Sequence, residues 1–191
     1  MGRESTMSAL SKLRKSLKEQ TSVCIVESGR DGSYYRGIVT HISSVFVALH
    51  QIENLEFNGT VILALKDFND VRDGTFSKVT DRILEQNREI KKQRPAAWLN
   101  DCETWQDLFL NLKRRRIWPS LEVVKKKDCW FLIGPILDVE EKGSYIHNFS
   151  GDGKWQKEPD PITYKYLHQV MFGDRYSKHF NRYMRTKGLP D

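Results

Sequence analysis

One stretch of helical sequence occurs twice in this chain, and the two copies lie 100 positions apart. The aligned pairs are Phe76 with Tyr176, Ser77 with Ser177, Lys78 with Lys178, Arg82 with Arg182 and Leu84 with Met184. A repeat at constant spacing predicts two copies of one structural unit within a single chain, and this prediction constrains the fold more than any other feature of the sequence.

A chain of 191 residues is long enough for two small domains. We expect a first unit over residues 1–92, a linker over 93–101 and a second unit over 102–191, because apolar periodicity is lost before Pro95. The predicted class is mainly β with flanking helices (α+β). Each unit is expected to be a five-stranded small barrel with a helix before it and a helix after it.

The first half begins with an amphipathic pattern over residues 8–20, which predicts a helix capped by Ser8. Short apolar runs then predict five strands, and a helix is expected over 75–92. The expected strands are 23–26, 34–42, 45–52, 61–65 and 68–71. Asn58-Gly59 is the sequence signal of a tight hairpin turn, which we expect between the third and fourth strands.

The second half follows the same order. A helix capped by Asp101 or Thr104 is expected first, and a final helix is expected over 174–187. Between them the strand candidates are 121–124, 130–139 and 145–149, a strand that begins at Trp155, and one or two strands within 162–171. Gly37 and Gly134 each lie inside the longest strand of their half, where a small closed barrel needs a sharp bend.

A helix followed by five strongly bent strands resembles the Sm-like fold, a variant of the SH3-type small barrel, and each half is similar to uncharacterised bacterial proteins of that type. In the first half the resemblance is carried by Gly37-Ile38-Val39, Phe46-Val47-Ala48-Leu49 and Phe57-Asn58-Gly59. In the second half it is carried by Gly134-Pro135-Ile136, residues 145–149 and residues 150–155. The resemblance implies RNA binding, although the RNA-contacting loop motifs of that family have no counterpart in this sequence.

The strongest local feature is a basic cluster in the second half. Seven positive charges fall within fifteen residues, around a single tryptophan that we expect to be exposed. The candidate binding residues are Lys113, Arg114, Arg115, Arg116, Trp118, Lys125, Lys126 and Lys127. Their side chains are suited to neutralising phosphates, with Trp118 stacking on a base. An acidic protein partner and a merely solvated face remain open alternatives.

A second basic stripe runs along the predicted last helix. It consists of Arg175, Lys178, Arg182 and Arg185, and the opposite face of the same helix is apolar. The stripe is therefore either the wet face of a docked helix or a secondary binding surface.

Several functional classes lack a signature. The histidines and the three cysteines show no metal-ligand spacing, and no catalytic or phosphate-loop motif is present, so we expect no metal, no cofactor and no enzymatic activity. No apolar run approaches the length needed to cross a membrane, and no secretory leader is recognisable, which predicts a cytoplasmic protein without membrane contact.

Two functions follow from these features. The first is a non-enzymatic binding protein whose basic surface recognises a polyanion, single-stranded nucleic acid above all, since the net charge is +6 and is concentrated in the middle of the chain. The alternative is a protein-interaction module that binds an acidic or extended partner, as a regulator, immunity factor or inhibitor in bacterial or phage conflict.

Overall fold

The computed structural model describes residues 2–28, 34–88, 96–126 and 128–188. The chain divides into two compact units, Met1–Ala97 and Trp98–Asp191. Within the described residues there are four α-helices and eleven strands, and every strand pairing within a unit is antiparallel. The mixed α+β class expected from the sequence is confirmed.

The first unit is one five-stranded sheet between an N-terminal and a C-terminal helix. Its elements are α1 (Gly2–Glu19), β1 (Ser22–Glu27), β2 (Tyr34–Ile42), β3 (Phe46–Glu53), β4 (Glu56–Ala64), β5 (Phe68–Arg72) and α2 (Thr75–Gln86). Within this unit the strand order is β5-β1-β2-β3-β4. Because β1 pairs with both β2 and β5, the first and last strands of the unit lie side by side.

The apolar face of α1 covers this sheet. Ala9 and Leu13 are buried with the apolar side chains of the strands, and Leu17 packs against the same cluster. Lys12 donates a hydrogen bond of 2.7 Å from Nζ to the main-chain oxygen of Val71 in β5. The helix begins at Gly2, so the expectation that it starts at a Ser8 cap is wrong; residues 3–7 contain neither glycine nor proline to stop it.

The hairpin between β3 and β4 turns earlier than expected. The turn lies at Asn54 and Leu55, whose φ angles of 50° and 62° suit a two-residue connection. Asn58 and Gly59 lie inside β4 instead, where the two residues oppose one residue of β3 in a β-bulge. Gly59 adopts a φ of 77° there, so the Asn-Gly pair serves a bulge and not the turn.

The second unit has the same order of helices and strands with one strand divided. Its elements are α3 (Trp105–Arg114), β6 (Ser120–Lys125), β7 (Asp128–Ile133), β8 (Ile136–Val139), β9 (Gly143–Ile146), β10 (Asp160–Thr163), β11 (Leu167–Phe172) and α4 (Arg175–Thr186). Residues Ala97–Asp101, which were expected at the end of a linker, form a 3-10 helix.

The single strand expected over 130–139 is interrupted at Gly134-Pro135. Gly134 has a φ of 156° and proline has no amide hydrogen to donate to a sheet, so the chain bends there and continues as β8. The strands of this unit form the orders β11-β6-β7 and β10-β9-β8. Trp155 makes only an isolated bridge with Phe149, and the next strand begins at Asp160.

The expected pair of closed five-stranded barrels is not confirmed. In the described part of the first unit no pairing joins β4 to β5, and the strands of the second unit fall into two three-stranded groups because β7 and β8 are separate. The coarser expectation of helices that flank antiparallel strands is the one that the structure bears out.

Corresponding positions of the two units make corresponding contacts. The helices α2 and α4 are both twelve residues long and begin 100 positions apart. Ser22, the first residue of β1, donates from Oγ to the main-chain oxygen of Ser77 at 3.2 Å. In the second unit Ser177 donates from Oγ to Oγ of Ser120, the first residue of β6, at 3.4 Å. The last helix of each unit is thus attached to the start of its first strand.

Candidate functional site

The helix α3 is delimited by clear signals at both ends. At its start, Asp107 donates from its main-chain N–H to Oγ1 of Thr104 at 3.2 Å, and Thr104 donates from its N–H to Oδ2 of Asp107 at 2.8 Å. The Thr104 hydroxyl also donates to Oδ2 of Asp107 at 2.8 Å, and this hydrogen bond, together with those from the main-chain N–H groups of Thr104 and Glu103, holds the pKa of the Asp107 carboxyl below its usual range. Thr104 is therefore the cap, and Asp101 is not.

The C-terminal end of α3 turns the chain back sharply. Arg116 has a φ of 53°, and the N–H groups of Arg116 and Ile117 donate to the oxygens of Lys113 and Leu112, each at 3.0 Å. This pair of hydrogen bonds is the Schellman ending, in which the left-handed position is usually glycine. Here it is occupied by an arginine.

Three of the four consecutive basic residues contact different neighbours. Lys113 approaches Asp138 with 3.2 Å between Nζ and Oδ1, Arg114 donates to Asn111 at 3.3 Å, and Arg115 lies 5.2 Å from the ring centre of Trp98. All four are exposed, and Lys113 and Arg116 line the same depression.

Trp118 is buried, and the expectation that it is exposed for base stacking is wrong. Only 8% of its surface is accessible, and it packs with Ile133, Phe149 and Met184. The guanidinium of Arg185 covers its ring at 4.2 Å. The tight ending of α3 directs Trp118 inward, which the local sequence does not reveal.

The stripe along α4 meets the end of α3 at this tryptophan. Arg185 donates to the main-chain oxygen of Arg116 at 2.7 Å. A depression of about 500 Å³ beside Trp118 is lined by Lys113, Arg116 and Arg185 together with apolar residues. An adjoining depression shares Arg116 and Arg185 and adds Lys178 and Arg182.

We call these joined depressions the basic cleft. Its cations are Lys113, Arg116, Lys178, Arg182 and Arg185. No carboxylate is among the described residues that line either depression. The structure thus combines two sets of residues that the sequence presents as separate, and it leaves out Arg114, Arg115 and Arg175.

One polar atom of the basic cleft has no hydrogen-bond partner within the described part of the chain. Asn181 donates from Nδ2 to the main-chain oxygen of Trp118 at 2.9 Å, but its buried Oδ1 accepts no hydrogen bond. A buried acceptor without a partner lowers stability, and because this oxygen is closed to solvent it is not a contact point for a ligand.

Lys125 and Lys126 lie elsewhere. Lys125 ends β6 and Lys126 follows it, whereas Ser120 begins the strand close to Trp118 in the chain, so roughly 17 Å of extended strand separates the two lysines from that end of β6. Lys125 lines a different depression, of about 340 Å³, with Trp130 and Tyr166. Lys127 lies outside the described residues.

Neither aromatic side chain of this second depression was identified from the sequence. Trp130 lies in β7, and Tyr166 ends the 3-10 helix before β11. The alternation of a strand shows which residues share a face, but it does not show which face meets solvent, so no local signal marked Trp130 as accessible.

The thiols give no indication of a reactive centre. Cys102 is buried, and the loss of hydration, reinforced by Asp107 and Asp101, raises its pKa to about 11. Partial burial also raises the pKa of Cys24. In the described ranges no three His, Cys, Asp or Glu side chains come together in a way that could hold a metal ion.

Comparison with family models, curated proteins and solved structures gives no match. The resemblance to the Sm-like fold therefore stays a prediction from the sequence. Of the helices in the described ranges, none has the length and apolar character required to span a bilayer.

Proposed function

We propose that this protein is a non-enzymatic binding protein and that its basic cleft recognises a polyanion, specifically single-stranded nucleic acid. One observation carries the proposal: two separate elements contribute five cations to one cleft around Trp118. Lys113 is partly neutralised by Asp138, and the other four cations come from α4 and the end of α3. Clustered cations of this kind bind phosphates and release their counterions.

The backbone at Arg116 supports a binding role for its side chain. A non-glycine residue at a positive φ costs about 1 kcal/mol, and glycine is the usual residue at this helix ending. An arginine here places a guanidinium in the cleft despite that cost. Gln20 and Arg88, which follow α1 and α2, also have positive φ angles, so the support comes from the position of the Arg116 side chain in the cleft.

The basic cleft also contains a side chain that is held in place before a ligand binds. Arg185 is held by its hydrogen bond to Arg116 and by its contact with Trp118, so one guanidinium is ordered before a ligand arrives. Preorganised groups lower the entropy cost of binding.

We propose that each unit is a strongly bent small barrel of the Sm-like type, with its second strand divided in the second unit at Gly134-Pro135. The support is that the first strand of each unit pairs with both the second and the last, β1 with β2 and β5, and β6 with β7 and β11. Small barrels of this kind commonly carry binding sites.

The test is fluorescence anisotropy with labelled single-stranded DNA, single-stranded RNA and duplex DNA, measured across a range of salt concentrations. We expect Lys178→Ala/Arg182→Ala to weaken binding and to reduce the slope of log K against log salt by about 1.4, since each phosphate contact on a single strand contributes about 0.7. The matched control is Lys142→Ala/Lys157→Ala, which removes two exposed lysines of the same unit outside the basic cleft.

Two outcomes would contradict the proposal. If no oligonucleotide binds at low salt, nucleic acid is not the ligand. If both double variants weaken binding to the same extent, the affinity comes from the overall charge and the basic cleft has no special role.

Exposed aromatic pairs at matching positions favour the alternative, a protein-interaction module. In the first unit these are Tyr34 and Phe76, and in the second Phe131 and Tyr176, all of them exposed. Each pair combines a residue of the second strand with the first turn of the last helix. If this function holds, a pull-down from the native host returns one dominant protein, and Phe76→Ala/Tyr176→Ala loses it.

A further inference from the structure

Trp130 is unusually accessible for a tryptophan within a strand. It lies opposite Val123 in the pairing of β7 with β6, and 44% of its surface is exposed. All five tryptophans of the chain lie in the described ranges, and none of the other four reaches this exposure. An exposed indole next to a depression is a typical anchor for a flat ligand.

The depression beside Trp130, which we call the Trp130 cleft, is small and has mixed walls. Leu132 and Ile162 contribute apolar surface, Trp130 and Tyr166 contribute aromatic rings, and Lys125 and Asp160 contribute charges. Its volume of about 340 Å³ lies near the lower limit of pockets that hold small ligands, which run from about 300 to 1,000 Å³. It has room for a single ring system with a sugar, but not for a long segment.

Positive charge surrounds the aromatic wall. The ammonium groups of Lys125 and Lys165 lie 5.3 Å and 5.8 Å from the ring centre of Tyr166, and Lys126 follows in the chain. The carboxylate of Asp160 lines the same depression, so its rim carries both signs of charge, with the lysines on the side of Tyr166. Aromatic walls with cations at the rim complement a nucleotide, which joins a flat base to a phosphate.

Together these features point to one occupant. We infer that the Trp130 cleft is a base-stacking subsite, in which one nucleotide of a bound single strand stacks on Trp130 with its phosphate near Lys125. The inference deepens the proposed function and depends on it. β6 begins close to Trp118 in the chain and ends at Lys125 of the Trp130 cleft, over roughly 17 Å, a span within reach of the 4–16 nucleotides that small barrels of the OB type accommodate.

The experiment follows tryptophan emission during titration with an oligothymidylate of about twelve nucleotides, alongside anisotropy of a labelled strand. We expect binding to quench the emission of the wild-type protein, and Trp130→Phe to lose this quenching while it keeps most of the affinity. Trp130→Ala should lower the affinity about 5- to 150-fold, the effect of losing one base stack.

Phe131→Ala is the matched control. Phe131 is the next residue of β7, is 48% exposed, and lies on the opposite face of the strand with Tyr176 as its neighbour. Its replacement should leave both the affinity and the quenching as in the wild type. Trp130→Phe keeps an aromatic ring at the site, so the test does not depend on the folding of Trp130→Ala.

Three results would overturn the inference. The first is binding that needs Lys178 and Arg182 while Trp130→Ala and Trp130→Phe behave as the wild type; the proposed function would then stand without this subsite. The second is quenching by thymidine monophosphate at the same concentration as by the oligonucleotide, which would make the occupant a free nucleotide. The third is a lack of binding to any oligonucleotide, which would end both proposals.

Discussion

A side chain at Gly134 would place its Cβ only 2.0 Å from the main-chain oxygen of His147. In the first unit, a Cβ at Gly37 would lie 2.5 Å from the main-chain oxygen of His50. Each glycine precedes its histidine by 13 positions. In the first unit this close approach joins β2 to β3, and in the second it joins the bend after β7 to the residue after β9. In both places only a residue without a side chain permits it.

Replacing either glycine is expected to destabilise its unit. Gly37→Ala and Gly134→Ala should each lower the free energy of unfolding by about 1–3 kcal/mol, because a backbone oxygen cannot move aside as a side chain can. Urea denaturation followed by circular dichroism measures the change. Gly151→Ala is the control, since no atom lies within 4 Å of its added Cβ; equal effects for all three would contradict the explanation.

The three cysteines should differ in reactivity with a thiol reagent. Cys129 is exposed and should react quickly in the folded protein at pH 8. Cys102 has a pKa of about 11, so only about one thousandth of it is thiolate at that pH, and its burial blocks access. Cys129→Ser should remove the fast phase, whereas a fast phase that persists in this variant would show that the assignment is wrong.

The capping box of α3 should make stability depend on pH. The pKa of Asp107 is lower in the folded protein than in the unfolded chain, so its contribution is present above the unfolded pKa of about 3.9 and is lost as pH falls through the folded pKa. Asp107→Asn should therefore destabilise the protein by about 0.5–1 kcal/mol at neutral pH, and the difference should shrink in acid. A difference that does not change with pH would argue against the carboxylate.

Replacing Arg116 by glycine should raise the stability of the protein and weaken its binding of oligonucleotides. Glycine adopts a positive φ without strain, so Arg116→Gly should raise the free energy of unfolding by up to about 1 kcal/mol. The same change removes a cation from the basic cleft and should weaken oligonucleotide binding. Thermal unfolding and anisotropy on one preparation test both effects, and a loss of stability would show that the side chain has a structural role.

Substitutions in α2, the last helix of the first unit, should lower the free energy of unfolding only where they fall on its buried face. Leu84 is fully buried, and Leu84→Ala should cost about 2–5 kcal/mol of the free energy of unfolding through lost packing and the cavity left behind. Val79, on the exposed face of the same helix, provides Val79→Ala as the control, with an effect near zero or slightly stabilising. Similar losses from both changes would indicate that α2 is packed differently.

Local periodicity predicted α3 and α4 within a few residues of their observed bounds, whereas α2, which was expected over 75–92, ends at Gln86. The spacing of apolar residues did not show which face of α2 is buried, because its buried residues are Ser77, Thr80 and Leu84. Turns were harder to place. Asn58-Gly59 has the composition of a hairpin turn, but the register of β3 against β4 puts the turn at Asn54-Leu55. Register is decided by pairing between strands, which one segment does not contain.

The candidate site was likewise predicted in part from local sequence and decided in part by contacts between distant residues. The basic residues were found from composition, and the error concerned the tryptophans: Trp118 is covered by Arg185, while Trp130 faces solvent. Arg185 lies 67 positions from Trp118 in the chain, so no window around Trp118 contains the residue that covers it.

By itself, the amino-acid sequence determined that this chain holds two units with matching final helices, and that its positive charge is concentrated in the middle of the chain. The tertiary structure alone decided that Arg116 and the residues of α4 share one cleft, and which indole remains accessible. The physical reason is that periodicity and composition act over a few residues, whereas burial and charge clustering depend on side chains brought together by packing.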